Sequence, residues 1–244
     1  MPFFVTLKVV KGVIVLTILQ VNNITGGYTR KPVIKNLSFE IGKGELVGLI
    51  GLNGAGKSTT IKHIIGTLLP HEGEVRLNGV TLKENVEQYR TSFSYIPETP
   101  VLYEELTLKE HLELTAMAYG LDEKTFDERS AALLKEFRVE RRLNWFQSHF
   151  SKGMGQKVMI MCAFLVNPSL YIIDEPFVGL DPLGIQSLLD QMDEQKQKGA
   201  SILMSTHILS TAEKHCDRII LLHNGRVRAQ GTMDELRQAF NMPT

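Results

Sequence analysis

An excess of charge of either sign is missing from this sequence: 27 lysines and arginines balance 27 aspartates and glutamates over 244 residues. No global basic field is therefore available to hold nucleic acid or an anionic membrane, and only a local patch could do so. Cysteine is scarce. Cys162 and Cys216 are too few for a disulfide framework or a metal-ligand cluster. They read as two reduced thiols of a cytosolic protein, one in a helix and one near a helix end. Long uncharged apolar runs are also lacking. The first 20 residues are mostly apolar, but Lys8 and Lys11 divide them and leave residues 12–19 as the longest stretch there before the polar Gln20. A spanning helix needs roughly 20 apolar residues, and a secretory signal needs a small-residue cleavage site that this segment does not offer. There are no internal repeats and no low-complexity linkers. What is present, 43% hydrophobic and 22% charged residues, is ordinary globular composition. The length suits one sizeable core or two small subdomains sharing one.

Hydrophobic periodicity orders the chain. Residues 16–21 predict a first strand, which makes residues 1–15 an extension: an added edge strand, a disordered tail, or a start assigned too early. The apolar run 46–50 suits a buried parallel strand. A Gly-rich turn follows it, then a helix from about residue 57 to 65. Asn78-Gly79, inside the alternating stretch 74–82, predicts a hairpin. Thr107 with Glu110, and Thr125 with Glu128, both read as capping boxes. Behind the first, Leu108, Leu112, Ala116 and Tyr119 share a helix face, and behind the second Phe126, Leu133, Leu134 and Phe137 do. Further strands are predicted at 170–173 and 201–205. Between them Asp181 and Pro182 open a helix whose face, Ile185, Leu188, Leu189 and Met192, ends at Gly199. Asn224-Gly225 turns a second hairpin. Strands alternating with helices predict an α/β fold with a mostly parallel sheet. A small antiparallel β part joins it, and the helical stretch 99–167 is inserted between core segments 16–98 and 168–244.

The chemistry concentrates in two places. Gly51, Leu52, Asn53, Gly54, Ala55, Gly56, Lys57, Ser58 and Thr59 form a phosphate-binding loop, in the context such a loop needs: after a strand and opening a helix. The glycines let successive N–H groups point inward at phosphate oxygens, and the helix N-terminus adds positive potential. Lys57 reaches the β and γ phosphates of a nucleotide and Ser58 offers its hydroxyl to Mg²⁺. The second place is Asp174-Glu175, two carboxylates at the end of a strand buried on both faces, where ligands bind in open α/β sheets. Asp174 can hold the Mg²⁺ shell, and Glu175 can take a proton from, or orient, an attacking water. An N-cap role for the pair is weakened by Pro176, which follows directly.

With these motifs in place, the sequence resembles the ATP-binding subunits of ABC transporters from about residue 16 to its C-terminus. Tyr28 stands where that family has an aromatic ring stacked on adenine; otherwise it is a surface tyrosine. Glu98 stands where the family has a glutamine that contacts Mg²⁺ and water. Ser151, Lys152, Gly153 and Met154 fall on the family's Leu-Ser-Gly-Gly-Gln signature, with Phe150, Lys152 and Met154 departing from it. Ser151 and Gly153 remain, the two positions that would cap the γ-phosphate held by a second subunit. Asp181 falls on the loop that crosses the dimer interface, and His207 on the histidine that senses the γ-phosphate. A Lys-Gly-Met signature looks like that of ATPases serving exporters. The runs at 95–108 and 171–177 carry a narrower resemblance, to the subunit of one particular transporter.

The resemblance implies ATP and Mg²⁺ as cofactors, with Ser58, Asp174 and Glu98 around the metal. It implies a homodimer in the ATP-bound state that clamps two nucleotides, driven apart after Glu175 and His207 promote hydrolysis. It implies a separate integral membrane subunit at the cytoplasmic face of the cell membrane, reached through Tyr103, Glu104 and Glu105 unless these form a solvated loop. No nucleic acid is expected. Two other classes compete: a soluble ABC-type ATPase acting on ribosomes or DNA, and a P-loop kinase of small molecules. The first usually carries two ATPase units or a long coiled-coil insertion. The second has no role for the signature or for His207.

Overall fold

The structure, a computed structural model, describes residues 7–10 and 13–240, with side chains from residue 16 onward. In chain order its strands are β1 (Leu7–Val10), β2 (Val13–Gly26), β3 (Ile34–Gly42), β4 (Leu46–Ile50), β5 (Glu72–Leu77), β6 (Phe93–Ile96), β7 (Leu170–Asp174), β8 (Ser201–Thr206), β9 (Arg218–His223) and β10 (Arg226–Gly231). They form two sheets. In the antiparallel one, β2 pairs with β1, β3 and β5. The other runs β10-β9-β4-β8-β7-β6, parallel except for β10. The predicted α/β class with a mostly parallel sheet and a small antiparallel part is borne out.

The parallel strands are central and read as such. β4, β7 and β8 are buried along their whole length, as strands covered on both faces must be. Their side chains alternate between two cores. Leu170, Ile172 and Leu203 join Leu19, Leu37, Ile41 and Ile61 on the side of the antiparallel sheet. Tyr171, Ile173, Ile202 and Met204 meet Ile160, Phe164, Leu188 and Met192 on the opposite side.

Helix α1 (Lys57–Ile64) follows β4, and α2 (Val86–Thr91) precedes β6. The helical region holds α3 (Leu108–Ala118), α4 (Glu123–Glu136) and α5 (Lys152–Leu165), with α3 and α4 packed on α5 and α5 against β6. Helices α6 (Pro182–Gln197), α7 (Leu209–His215) and α8 (Met233–Ala239) complete the chain. The two short 3₁₀ turns between α4 and α5 are joined by a segment that meets the start of α3. The N–H groups of Leu108 and Lys109 donate to the carbonyls of Trp145 and Leu143, each at 3.0 Å, so donors left over at a helix N-terminus find backbone partners. Among the described residues no helix is long and apolar enough to cross a membrane.

Three expectations change. The first strand is longer than residues 16–21, because β2 has ladder partners on both edges that carry it through the polar Asn22 and Asn23. Part of the extension, Leu7–Val10, is an edge strand on β2; residues 1–6, 11 and 12 lie outside the described residues. The Asn78-Gly79 turn forms, with φ of 48° and 79°, but no second hairpin strand follows. Only Val80 bridges back, to Leu77. Glu84 draws the chain into a local turn instead, taking the Thr81 N–H at 2.8 Å and an Arg76 ion pair at 3.2 Å. Thr125 is not a cap either. Asp122, three residues earlier, accepts the Thr125 N–H at 2.9 Å and starts α4, since a carboxylate is the stronger acceptor. The Thr107–Glu110 capping box forms as predicted.

Candidate active site

Three adjacent strands, β4, β8 and β7, end at one edge of the parallel sheet, and each delivers a part of the site. β4 runs into the phosphate-binding loop. Gly56, at φ 107°, caps α1 in a left-handed conformation that a side chain would oppose. Lys57 then opens α1 with only 6% of its surface exposed. Its ammonium donates to the Gly51 carbonyl at 2.8 Å and lies 3.5 Å from Glu175 Oε1. An ammonium carries three protons, so one donor remains for a ligand in the loop.

β7 ends in Asp174 and Glu175 follows it, the two being 4% and 8% exposed. β8 lies between them and the loop strand. Its end and the residue just beyond meet both acids: the Ser205 hydroxyl donates to Asp174 Oδ1, and His207 Nδ1 lies 3.0 Å from Glu175 Oε1. A carboxylate only accepts, so the His207 proton sits on Nδ1 and Nε2 is left unprotonated in the neutral ring. Glu175 Oε1 is thus shared by an ammonium and an imidazole.

These groups border one cavity of about 300 Å³. Its wall holds Asn53, Gly54, Gly56, Lys57, Ser58, Thr59, Glu98, Glu175 and His207 together. Val33 and Val178 also line it and were not anticipated: Val178 falls between the acid pair and the Asp181 loop, but neither side chain has a polar group to single it out. Gly51, Leu52, Ala55 and Asp174 are not on the wall. Asp174 lies behind it, held by Ser205. Tyr28 is not on the wall either: it is 56% exposed, with the Lys62 ammonium 4.9 Å from its ring centroid. Burial pushes the Tyr95 phenol well up, and the carboxylates of Asp174 and Glu98 add to the shift, so the two acids share a neighbourhood. A larger cavity, about 500 Å³, lies at the opposite, amino-terminal edge of the strands, lined by Asn78, Ser169 and Gln195.

Ser151, Lys152, Gly153, Met154 and Asp181 form a second group, away from the cavity wall. Ser151 caps α5, its hydroxyl accepting the Met154 N–H at 3.2 Å. Gly153 packs so closely on the next loop that a β-carbon there would sit 2.5 Å from the Gly179 carbonyl oxygen. Asp181 caps α6 through the Gly184 N–H at 3.1 Å. It also pairs with Lys157 at 2.9 Å, and that bond holds its carboxyl below the usual range. Gln156, fully buried, donates to the Pro97 carbonyl at 3.3 Å and so ties α5 to the segment bearing Glu98.

Ser58, Glu98 and Asp174 would all offer a metal hard oxygen donors. Among the described residues no group of three or more His, Cys, Asp or Glu is placed to hold a metal by itself. Mg²⁺ does not require one, because it takes most of its ligands from phosphate and water beside one or two carboxylates. The donor set therefore fits Mg²⁺ delivered with a nucleotide.

A mostly parallel sheet, a phosphate-binding loop after its first strand and an acid pair at the end of a neighbouring strand define a P-loop ATPase. Residues 34–178 match the ABC transporter family, and the chain belongs to it as an ATP-binding subunit. It is 66% identical over 227 residues to the ABC-type transporter ATP-binding protein EcsA of Bacillus subtilis, covering 93% of this chain and 92% of that one. The narrower resemblance carried by residues 95–108 and 171–177 is thereby borne out. A solved ATP-binding subunit of an ABC transporter superposes with a TM-score of 0.90 at 61% identity, over 93% of this chain and 94% of the other. A dimeric ATP-binding cassette in a post-hydrolysis state, bound to ADP and Pi, gives 0.79 at 25% identity, over 88% and 98%.

The Gly153 contact has a direct test. Gly153→Ala drives a methyl into the Gly179 carbonyl and must displace the loop that carries Asp181. Overpacking of this kind costs about 1–3 kcal/mol, to be read as a lower urea midpoint at unchanged slope. An unaltered midpoint would mean that the loop yields freely.

Proposed function

We propose that this chain is the ATP-hydrolysing subunit of an exporter, acting as a homodimer on a separate membrane-embedded subunit at the cytoplasmic face of the membrane. The observation that carries the catalytic part is Glu175. Its carboxylate lies on the wall of the phosphate-loop cavity, between the Lys57 ammonium and the His207 imidazole. In this reading the loop N–H groups and Lys57 bind the β and γ phosphates, and Glu175 accepts a proton from the attacking water. His207 holds the Glu175 carboxylate in place through Nδ1, and a ring protonated on both nitrogens could also donate from Nε2 to the γ-phosphate. Mg²⁺, held by Ser58 and Asp174, would neutralise charge on the β and γ oxygens.

The dimer is supported by the second group of residues. Ser151 and Gly153, at the start of α5, are the positions the family uses to close over a partner's nucleotide, and Gly153 packs on the loop bearing Asp181. Each nucleotide would then use both chains across an isologous contact. The membrane partner is supported by the segment after Glu98. Val101 and Tyr103 are 75% and 61% exposed, large apolar groups beside the exposed Glu104 and Glu105, as expected of a docking site rather than a solvated loop. Export is favoured by the Lys152-Gly153-Met154 form of the signature.

Two substitutions test the catalytic reading together. Lys57→Ala should abolish ATP binding in calorimetry, because no other cation of the loop faces the phosphates. Glu175→Gln should keep ATP binding but slow hydrolysis by about 10²–10⁴-fold, the usual contribution of a general base, and accumulate ATP-bound dimers in light scattering. Parent-like turnover in Glu175→Gln would assign the base elsewhere.

Glu98 yields a sharper expectation. With Asp174 and Glu175 it places three carboxylates beside an anionic triphosphate. Like charges about 4 Å apart cost about 1 kcal/mol in water and several times more at protein-like dielectric. A metal relieves this and a neutral amide avoids it. Glu98→Gln should therefore strengthen ATP binding in EDTA more than in excess Mg²⁺. An unchanged ratio of the two affinities would leave Glu98 as a residue facing the membrane partner.

A further inference from the structure

One hydroxyl at the end of β8 touches both acids of the site. Ser205 is fully buried and stands opposite Asp174 in the parallel ladder. Its Oγ donates to Asp174 Oδ1 and accepts the Glu175 N–H at 3.3 Å. Its carbonyl takes the same N–H at 3.1 Å. A hydroxyl has one proton and two lone pairs, a carboxylate only accepts and a peptide N–H only donates, so the direction of each bond is forced. Asp174 Oδ2 is left without a hydrogen-bond partner among the described residues.

The backbone explains why the second bond matters. Glu175 has φ of 48°, in the left-handed region that a residue with a side chain rarely adopts. Such a conformation persists where the surroundings over-determine it. Here the N–H is fixed by Ser205, and the side chain is fixed by Lys57 and His207. The pair is gripped twice from this end of the sheet, through the Ser205 hydroxyl in β8 and, two positions on, through the His207 imidazole just past it.

We propose that Ser205 is a positioning residue of the ATPase site: its hydroxyl fixes the rotamer of Asp174, so that Oδ2 serves the metal shell, and anchors the turn that presents Glu175. This rests on the ATPase reading above. Ser205 itself is fully buried and is not on the cavity wall.

The test uses the full chain with Ser205→Ala and Ser205→Cys. Ser205→Ala removes one oxygen and leaves the Glu175 N–H on the residue 205 carbonyl, so the fold should hold, as an unfolding midpoint will report. Groups that orient a metal ligand typically change metal affinity or activity by about 10–100-fold. Ser205→Ala should accordingly weaken Mn²⁺ binding to the ATP-loaded protein by about 10-fold in electron paramagnetic resonance titration. kcat should fall with little change in KM, and ATP affinity in EDTA should stay as in the parent. Ser205→Cys, a weaker donor of similar shape, should fall between, and it carries the test if the alanine variant is unstable. Parent-like Mn²⁺ affinity in both variants would overturn the proposal. So would a loss of EDTA affinity in step with the metal affinity, which would make Ser205 a packing residue. Lys57→Ala in the same titrations separates the two levels. If it binds ATP normally the site reading fails, and if it loses ATP while Ser205→Ala behaves as the parent, only the role of Ser205 fails.

Discussion

A carboxylate withdrawn from water must be met by donors, and the site is organised around that requirement at Glu175. Moving such an ion out of water costs several kcal/mol even after relaxation. Glu175 is 8% exposed and finds its partners on two other strands' continuations: Lys57 after β4 and His207 after β8. The sheet order makes this possible. β8 lies between β4 and β7, so the phosphate loop, the serine–histidine end and the acid pair emerge side by side. The segments are far apart in sequence, and the parallel ladder alone brings them to one edge.

Much of this was legible in the residues. Runs of apolar side chains with no polar alternation, at 46–50 and 170–173, can only be strands covered on both faces. The glycine spacing before Lys57 and the acids after a buried strand each have one economical chemical use. Fold class followed from the same pattern. The failures also have physical causes. Asn78-Gly79 turned the chain as its φ preferences demand, yet a turn does not guarantee a second strand when Glu84 offers the next donors a closer partner. Thr125 looked like a cap because its own helix-start pattern is intact, but Asp122 upstream competes for the same N–H and wins on charge.

The site was legible by type of residue and less so by contact. Lys57, Ser58, Glu98, Glu175 and His207 meet at one cavity, whereas Tyr28 and Asp174 stand off its wall. Val33 and Val178 could not be read at all, since an apolar side chain has no signature beyond its burial. Ser205 carried a faint signal: a polar residue where the apolar run of β8 stops. Its partner becomes visible only when the register sets it opposite Asp174.

That register constrains which lengths of chain this protein can tolerate. Along β7, alternate residues belong to different cores, and a shift of one position reverses every side chain. A single inserted residue before Asp174 would exchange the contents of both cores and slide the acid pair about 3.3 Å along the strand, away from Ser205 and Lys57. The exposed turn between α3 and α4 has no such bookkeeping and can grow or shrink without disturbing the ladder. Length variation among relatives should therefore collect in the helical region and at the surface turns, and be absent between residue 170 and the acids.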